Sequence, residues 1–368
     1  MATCPFSGAA AAPGGGTDGG GCPFAGAAAA AQAQQQRQQA AQAGAEPAPR
    51  AVCPLGFGSS RGPQLSSLHC PLCKALLHDA CAAPCGHAFC RACIARARDC
   101  PVCGADVDHA ALQPNAELTG MVDTFLDTHS RSPQLVAAAQ VDLGPLPDDS
   151  AGSFFMAHGL RSLAGGNAHA ALHRFERARA ALLDAGATAP PPGAVGAACQ
   201  LAAACGCLAD CHRRLGDDAA AAALLGEAAA AVEGFADDDG EAAHALSVSL
   251  NKLGDLRYSQ QALPAAAGLY RRALALREAR CGPLSGGRAG PGEQLELAAA
   301  LVKVSDAARA LGERDEAATL LHRAAGVAFE VQRQADEAGG ALPPPAAYKL
   351  QLLLDVLRAQ QAEAASAE

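Results

Sequence analysis

Eight cysteine and histidine residues in one short stretch have the types and the spacing that bind zinc. Two Cys-x2-Cys pairs flank a central Cys-x-His-x2-Cys-x2-Cys segment, and the candidate ligands are Cys70, Cys73, Cys85, His87, Cys90, Cys93, Cys100 and Cys103. Structural Zn²⁺ takes four thiolate or imidazole ligands in a tetrahedron, and two residues between cysteines let one tight turn present both sulfurs to one ion. Eight ligands therefore predict two zinc ions as cofactors.

The order of these ligands, three Cys, one His and four Cys, resembles the RING finger, in which the pairs of ligands interleave. The resemblance implies one zinc ion on Cys70, Cys73, Cys90 and Cys93, and the other on Cys85, His87, Cys100 and Cys103. The alternative is a set of disulfides or unrelated buried thiols, but the spacing favours zinc. We expect the RING-type module to occupy residues 66–108.

Length and cysteine usage indicate the setting of this module. A chain of 368 residues can hold two or three domains. The zinc ions would replace the hydrophobic core that a segment of about 35 residues cannot build alone. The cysteines outside the module show no paired framework, and the N-terminus lacks the pattern of a secretory signal. We therefore expect a reducing compartment and a cytoplasmic protein.

Composition also argues against several classes of function. The net charge of −9 without a basic stripe, together with 4% aromatic residues and no Trp, disfavours a nucleic-acid-binding protein. The most apolar window, residues 193–211, is interrupted by Gln200 and is too short to predict a membrane span. No nucleotide-binding loop or catalytic triad is recognisable in the sequence, so we expect neither a nucleotide cofactor nor catalytic residues.

The N-terminal residues 1–65 are rich in Ala, Gly, Pro and Gln and are expected to be disordered, because they cannot bury enough apolar surface. They contain a short repeat, Cys4-Pro5-Phe6 and Cys22-Pro23-Phe24, with a relative at Cys53-Pro54-Leu55. A Cys-Pro pair is compatible with haem ligation, with a reactive thiol or with no role, and the sequence leaves these alternatives open.

Residues 109–151 are predicted to form a helix and a linker. Apolar residues recur with helical spacing in the segment from Asn115 to His129, at Leu118, Met121, Val122, Phe125 and Leu126. This helix is expected to pack on the zinc module. The prolines and acidic residues around Gly144–Asp149 predict the linker that follows.

Residues 152–335 repeat one helical pattern four times. Each copy has a small residue, a turn residue, a second small residue, an aromatic residue or Leu, and then Ala. The copies are Gly159, Gly166, Ala171, Phe175 and Ala178; Ala209, Gly216, Ala221, Leu225 and Ala228; Gly254, Gln261, Ala266, Tyr270 and Ala273; and Ser305, Gly312, Ala317, Leu321 and Ala324. The offsets resemble those of the tetratricopeptide repeat, a pair of antiparallel helices. A generic helical bundle is the alternative.

The predicted fold is therefore mainly α. A small two-zinc RING-type module is followed by an α-solenoid of about four tetratricopeptide-like helix pairs. An amphipathic helix over residues 345–362, with Leu350, Leu353, Leu354 and Leu357 on one face, is expected to cap the stack.

Polar residues that recur in the repeats are candidates for binding a protein partner. Asp210, Asp255 and Asp306 occupy one position of the pattern, and Arg213, Tyr258 and Arg309 follow one helical turn later. Asn251 belongs to the same candidate set, because it lies in the segment from Leu246 to Tyr258, which has the smallest share of Ala in the repeats. These residues form either a polar binding groove or solvated pairs within each helix.

The combination of motifs resembles one family over nearly the whole chain. Its elements are the Cys-Pro-Phe repeats, Cys53-Pro54-Leu55-Gly56-Phe57, the RING-type module, Met121-Val122-Asp123 and the segment from Leu246 to Tyr258. These elements, in this order, look like the plant and green-algal "no catalase activity" family of chaperone-like factors. The resemblance implies a cytosolic protein that binds catalase as its partner and maintains or promotes catalase activity without being an enzyme.

The alternative function is a RING-type ubiquitin ligase that selects substrates with its helical repeats. Leu72 and Ile94 are candidates for the hydrophobic patch on which such ligases bind a conjugating enzyme. However, Ala97 stands where many ligases have Trp, and Gly104 stands where many have a basic residue. These two departures favour a RING that organises structure over one that takes part in catalysis.

Overall fold

The structure is a computed structural model that describes residues 67–131, 150–185, 195–281, 289–337 and 342–366. The N-terminal segment with its Cys-Pro repeats and the predicted linker at Gly144–Asp149 lie outside the described residues. Helices account for most of what is described, and the predicted mainly α class is confirmed.

A small antiparallel sheet forms the centre of the zinc-binding segment. The strands are β1 (Ala80–Ala82), β2 (Ala88–Cys90) and β3 (Gln113–Pro114), in the order β2-β1-β3. Cys81 of β1 pairs with Phe89 on one side and with Pro114 on the other. Helix α1 (Arg91–Ile94) follows β2, and a turn of 3₁₀ helix covers His109–Ala111. Leu76, Leu77, Phe89 and Ile94 are at most 2% exposed and form a small apolar core beside the zinc ligands.

Helix α2 (Ala116–Ser130) matches the helix predicted over Asn115–His129. The side chain of Asn115 caps it by accepting a hydrogen bond from the Leu118 amide at 2.9 Å. Its first turn contacts the sheet, because the Ala80 amide donates to Thr119 Oγ1 at 3.1 Å. Val122 faces the interior, but Met121 is 52% exposed and does not belong to the buried face.

The remaining helices form consecutive pairs. The first pair is α3 (Ala151–Ala164) and α4 (Ala168–Asp184), and the second is α5 (Val195–Leu215) and α6 (Asp218–Glu233). The third is α7 (Gly240–Ser259) and α8 (Leu263–Cys281), the fourth is α9 (Pro291–Leu311) and α10 (Arg314–Glu337), and α11 (Pro344–Ser366) ends the chain. The described residues fall into two compact units, one with the zinc module and α2 to α4, and one with most of α5 and all of α6 to α11.

The turn within each pair has a left-handed backbone at the predicted position. Gly166, Gly216 and Gly312 have φ values of 77°, 85° and 86°, which only glycine adopts without cost. In the third pair Gln261 stands at this position, and it adopts the same conformation with a φ of 60°. The turn positions in the repeat pattern are confirmed in all four pairs.

The small residues in the first helix of a pair let its partner helix approach closely. A Cβ atom added to Gly159 would lie 2.4 Å from the ring of Phe175, and one added to Gly254 would lie 2.5 Å from the ring of Tyr270. Both rings are buried, so neither can move aside into solvent. The pattern of a small residue opposite an aromatic residue is therefore a packing requirement.

The final helix, α11, is attached to the last two pairs by apolar and ionic contacts. Leu350, Leu353 and Leu357 are at most 4% exposed and belong to the core cluster that includes α9 and α10, while Leu354 is partly buried. The carboxylate of Glu296 in α9 forms ion pairs with Lys349 Nζ of α11 at 3.2 Å and with Arg277 Nη1 of α8 at 2.9 Å.

The electrostatics of Glu296 match these contacts. Burial opposes its ionisation, but His244, Arg277 and Lys349 together hold the pKa of its carboxyl well below the usual range. The carboxylate is therefore charged at neutral pH and links three helices to α9.

Among the described residues, one helix, α5, is long and apolar enough to cross a membrane when only its length and composition are considered. However, 56% of its most apolar window is buried within the protein. A core helix of a folded protein passes the same test, so this observation is weak evidence for a membrane span.

Two substitutions in the third pair test the packing requirement at Gly254. We expect Gly254→Ala to lower the free energy of unfolding by about 1–3 kcal/mol, because the methyl group would overlap the buried Tyr270 ring. Gly268→Ala on α8 is the matched control: its Cβ meets nothing within 4 Å, and we expect a gain of about 0.5–1 kcal/mol from helix propensity. Thermal unfolding followed by circular dichroism measures both, and equal effects would contradict the packing argument.

Candidate metal centre

The first quartet of predicted ligands is brought together in the structure. The ligand atoms of Cys70, Cys73, Cys90 and Cys93 all lie within 4.8 Å of one another. Four sulfurs at 2.3 Å from one tetrahedral zinc ion would be about 3.8 Å apart, so the quartet fits zinc with little adjustment. Cys70 and Cys90 are fully buried, and Cys73 is 5% exposed. This site is enclosed by protein.

The second quartet is equally compact but lies at the surface. The ligand atoms of Cys85, His87, Cys100 and Cys103 also fall within 4.8 Å of one another. His87 Nδ1 lies 3.4 Å from Cys85 Sγ and 3.5 Å from Cys100 Sγ, so Nδ1 is the nitrogen that would bind a zinc ion held by this quartet. Cys85 and Cys103 are exposed. Both interleaved quartets are as predicted, and the module fits two zinc ions.

Matching hydrogen-bonded turns present the sulfurs of the first and last cysteine pairs. The Cys70 amide donates to Ala75 O at 2.8 Å, and the Cys100 amide donates to Ala105 O at 2.7 Å. The residue directly after each pair has a positive φ, 59° at Lys74 and 73° at Gly104. Gly104 therefore fits a left-handed turn that Lys74 adopts at a conformational cost.

The donor sets indicate what the two ions do. Each quartet supplies four protein ligands, which completes the tetrahedral coordination of zinc and leaves no position for water or substrate. Such closed sites are structural, and the free energy of metal binding contributes directly to folding. The first quartet links the first loop of the module to β2 and α1, and the second quartet links the last loop to the turn between β1 and β2.

The helix pair α3–α4 packs closely against the first quartet. Gly165, at the end of α3, approaches Cys73 so closely that an added Cβ would lie 2.3 Å from the Cys73 carbonyl oxygen. Asn167 follows in the turn, and its Nδ2 atom lies 3.3 Å from Cys93 Sγ. The backbone amide of His78 donates to a third ligand, Cys90 Sγ, at 3.3 Å. With the longer contact of Asn167 Nδ2 to Cys73 Sγ at 3.9 Å, three ligands of this quartet accept hydrogen bonds from residues that do not bind the metal.

A buried arginine joins α4 to the zinc module. Arg174 is 1% exposed, and its Nη2 atom donates to the carbonyl oxygens of Leu76 at 2.8 Å and Leu77 at 3.3 Å. Its Nη1 atom donates to Ser162 Oγ and to Ala170 O, both at 3.0 Å. Burial lowers the pKa of Arg174 to about 10, so the guanidinium remains charged at neutral pH.

Sequence reasoning did not identify Asn167 or Arg174. One signal was available for each residue. Arg174 lies between Ala171 and Phe175, both predicted on the buried face of the helix, where a charged residue requires partners. Asn167 directly precedes a helix, but an N-cap role alone explains an Asn there. Neither signal names the zinc module as the partner.

The seven predicted partner-binding residues lie on α5, α7 and α9, namely Asp210, Arg213, Asn251, Asp255, Tyr258, Asp306 and Arg309. Asp306 and Arg309 form a pair within α9 at 2.9 Å, with 21% and 48% of their side chains exposed. Asp210, Arg213 and Tyr258 are partly buried. Binding of a partner by these residues stays a prediction.

Asp255 has internal contacts that the sequence did not reveal. The residue is 7% exposed, its carboxylate accepts a hydrogen bond from Tyr270 Oη at 2.7 Å, and it pairs with the buried Lys303 of α9. Asn251, one helical turn before it, is 9% exposed, and its Oδ1 atom has no hydrogen-bond partner in the part of the chain that the structure describes. The two residues form a buried polar patch between α7 and α9.

The surface expected of a ubiquitin ligase is only partly present. Ile94, one of the two predicted patch residues, is fully buried and is not available to a partner, so that assignment was wrong. Leu72 is partly buried. Val102, between the last two ligands, is 51% exposed.

Comparison with known proteins identifies the relatives of the chain. A sequence profile of the RING-type zinc-finger family matches residues 70–103. Protein NCA1 of Arabidopsis thaliana is 33% identical over 282 residues, which cover 73% of this chain and 67% of that relative. The chain belongs to the NCA1 family. The predicted resemblance to the "no catalase activity" proteins is confirmed.

Other similarities are local or distant. Tripartite motif-containing protein 5 of Erythrocebus patas is 35% identical over 65 residues, 15% of this chain and 13% of that protein. The crystal structure of BtubC from P. vanneervenii has a TM-score of 0.41 at 17% identity, with 62% of this chain and 82% of that chain covered. The TPR-like repeats of a putative kinesin light chain from Podosopora anserina give a TM-score of 0.39 at 17% identity and cover 59% and 90%. Similarities this distant carry no argument about function.

A substitution at Arg174 tests whether the zinc module and the first helix pair are stabilised together. We expect Arg174→Met to lower the free energy of unfolding of this unit by about 3 kcal/mol, because it leaves the carbonyls of Leu76 and Leu77 buried without donors. Faster amide hydrogen exchange in both residues 67–78 and residues 150–185 would report the loss. The control is Arg91→Met, which removes a surface pair with Asp79 whose side chains are 39% and 56% exposed, and whose loss costs less than about 1 kcal/mol. Faster exchange confined to one segment would contradict the coupling.

Proposed function

We propose that the protein is a chaperone-like factor that binds catalase and maintains or promotes catalase activity through protein–protein contacts. The observation that carries the proposal is the 33% identity to Arabidopsis Protein NCA1 over 282 residues. The segment that resembles the family most closely, from Leu246 to Tyr258, lies within α7. The thiolate-rich zinc module suits a reducing compartment, and we propose the cytoplasm as the site of action.

The structure supports a binding role over a catalytic one. Each zinc quartet is a closed set of four protein ligands, so the metal sites serve the fold. Stacked helix pairs of this type present extended surfaces to other proteins. In the absence of nucleotide hydrolysis, the protein can shift a catalase folding equilibrium only by binding one catalase conformation more tightly than another.

We place one catalase contact at the polar patch of Asn251 and Asp255. The Oδ1 atom of Asn251 is buried without a hydrogen-bond partner among the described residues, and an unpaired buried acceptor costs about 1–3 kcal/mol. Because this atom is inaccessible in the free protein, we propose that a donor from the partner reaches it through local opening of α7 and then removes this cost. The adjacent Lys303–Asp255 pair is held by Tyr270, so the patch is preorganised by the core of the third helix pair.

Co-expression with a plant catalase tests the proposal. We expect the specific activity of catalase to rise severalfold over co-expression with an unrelated protein, and the two proteins to copurify. Asn251→Leu should weaken copurification at least tenfold while the helical signal is retained, whereas Gln334→Leu, which alters an exposed residue of α10, should not. If catalase activity does not exceed the control, the proposed function is wrong. If activity rises but Asn251→Leu binds normally, only the assignment of the patch is wrong.

A second candidate function, a RING-type ubiquitin ligase, is favoured by one observation. Val102 is 51% exposed between the last two zinc ligands, where a conjugating enzyme can reach it. Zinc-dependent formation of ubiquitin chains with any of a panel of conjugating enzymes, abolished by Val102→Glu, would establish this function. Because Ile94 is buried and Ala97 and Gly104 depart from the ligase pattern, we expect no chain formation above the level of the Val102→Glu variant.

A further inference from the structure

Asn167 lies where the helical repeats meet the first zinc quartet. It is 3% exposed and belongs to the turn between α3 and α4. Its Nδ2 atom lies 3.3 Å from Cys93 Sγ and 3.9 Å from Cys73 Sγ, although these cysteines precede it by 74 and 94 residues. An amide group from outside the RING segment therefore faces two metal ligands.

The orientation of this side chain is fixed by a second contact. Asn167 Oδ1 accepts a hydrogen bond from the Ala170 amide at 3.0 Å, as the N-cap of α4. Since the oxygen is used by the helix, the nitrogen must be the end that faces the sulfurs. The close approach of Gly165 to Cys73 and the contacts of Arg174 with Leu76 and Leu77 hold this turn against the quartet. The position of the Asn167 amide is therefore fixed both by the N-cap hydrogen bond of α4 and by the packing of the turn against the zinc module.

The charge of the quartet explains what such a donor does. Four thiolates around one Zn²⁺ carry a net charge of about −2, and all of the sulfurs except that of Cys93 belong to buried residues. A hydrogen bond from N–H to sulfur disperses part of this charge and orients the ligand, which favours the metal-bound form.

We propose that Asn167 is a positioning residue of the first zinc site, and that the first helix pair completes the metal site which the RING segment begins. Zinc retention and the packing of α3 and α4 then favour each other, because a coupling between two equilibria is reciprocal. The second quartet has two exposed ligands, Cys85 and Cys103, and serves as an internal reference for zinc that does not depend on Asn167.

Serine at position 167 separates the two roles of the side chain. Asn167→Ser keeps a good N-cap acceptor for α4 but removes the amide donor to Cys93. The matched control is Asn115→Ser, which makes the same change at the N-cap of α2, where Oδ1 accepts from Leu118 at 2.9 Å. Both variants are made in the full chain, and far-UV circular dichroism verifies that their helix content is unchanged.

Zinc transfer to an excess of a chromophoric chelator is the first measurement. Outer-shell hydrogen bonds of metal ligands typically change metal affinity by about 10–100-fold, so we expect one of the two zinc ions to leave Asn167→Ser about tenfold faster than it leaves the wild type. The other ion should leave at the unchanged rate, and Asn115→Ser should match the wild type for both ions. Equal rates for Asn167→Ser and Asn115→Ser would overturn the proposal.

Cobalt substitution supplies a readout that a loss of stability alone would not change. Removal of an N–H donor raises the energy of the thiolate electrons, so the thiolate-to-cobalt charge-transfer band of Asn167→Ser should move to longer wavelength. A band at the wild-type wavelength would also overturn the proposal. If Asn167→Ser does not fold, Asn167→Asp retains the cap with the same geometry and places a carboxylate beside the thiolates. Retention of zinc by that variant as tight as in the wild type would count equally against the proposal.

Discussion

The contact between the buried guanidinium of Arg174 and the carbonyls of Leu76 and Leu77 is the interaction on which the N-terminal unit depends. A zinc-binding segment of this size buries little apolar surface of its own and relies on its metal ions for stability. Arg174 satisfies backbone acceptors of that segment from within the helical repeats, at a position with 1% exposure. Because a buried charge without partners would cost several kcal/mol, these carbonyl acceptors stabilise the packing of the helix pair against the zinc module.

The C-terminal unit is organised by a different constraint, the close approach of helices. Gly254 permits the Tyr270 ring to pack against α7, and the hydroxyl of that ring then binds Asp255. Asp255 in turn pairs with Lys303 of the next helix pair. The sequence pattern of small and aromatic residues thus fixes both the apolar packing and the location of the buried polar groups. A polar residue that recurs in the repeats, such as Asp255, can therefore stabilise the helix packing as well as being a candidate for binding a partner.

Local spacing determined which features could be predicted from the sequence. The eight zinc ligands could be predicted because ligand geometry limits the spacing of residues within a turn, and their interleaved pairing followed from the resemblance to the RING finger. The turn positions were also predicted, including Gln261 in place of glycine, because helix pairs repeat at fixed offsets, and the structure shows a left-handed backbone at each of them. Asn167 and Arg174 were not, because their partners lie 74 to 98 residues earlier in the chain and no local pattern encodes that distance. Ile94 was assigned to a surface for the same reason: its burial depends on tertiary packing.

The contacts of the first quartet bear on why a RING-type module occurs in a chain of the NCA1 family. Cys73 and Cys93, two of the four ligands, face α3 and α4, so one side of the module is occupied by the protein's own helices. The free energy of zinc binding is then available to hold this helix pair against the module. A module used in this way needs its ligands and its helix-facing side, but it does not need Trp at position 97 or a basic residue at position 104. The two positions that depart from the ligase pattern, Ala97 and Gly104, are therefore positions at which a structural role requires no particular side chain.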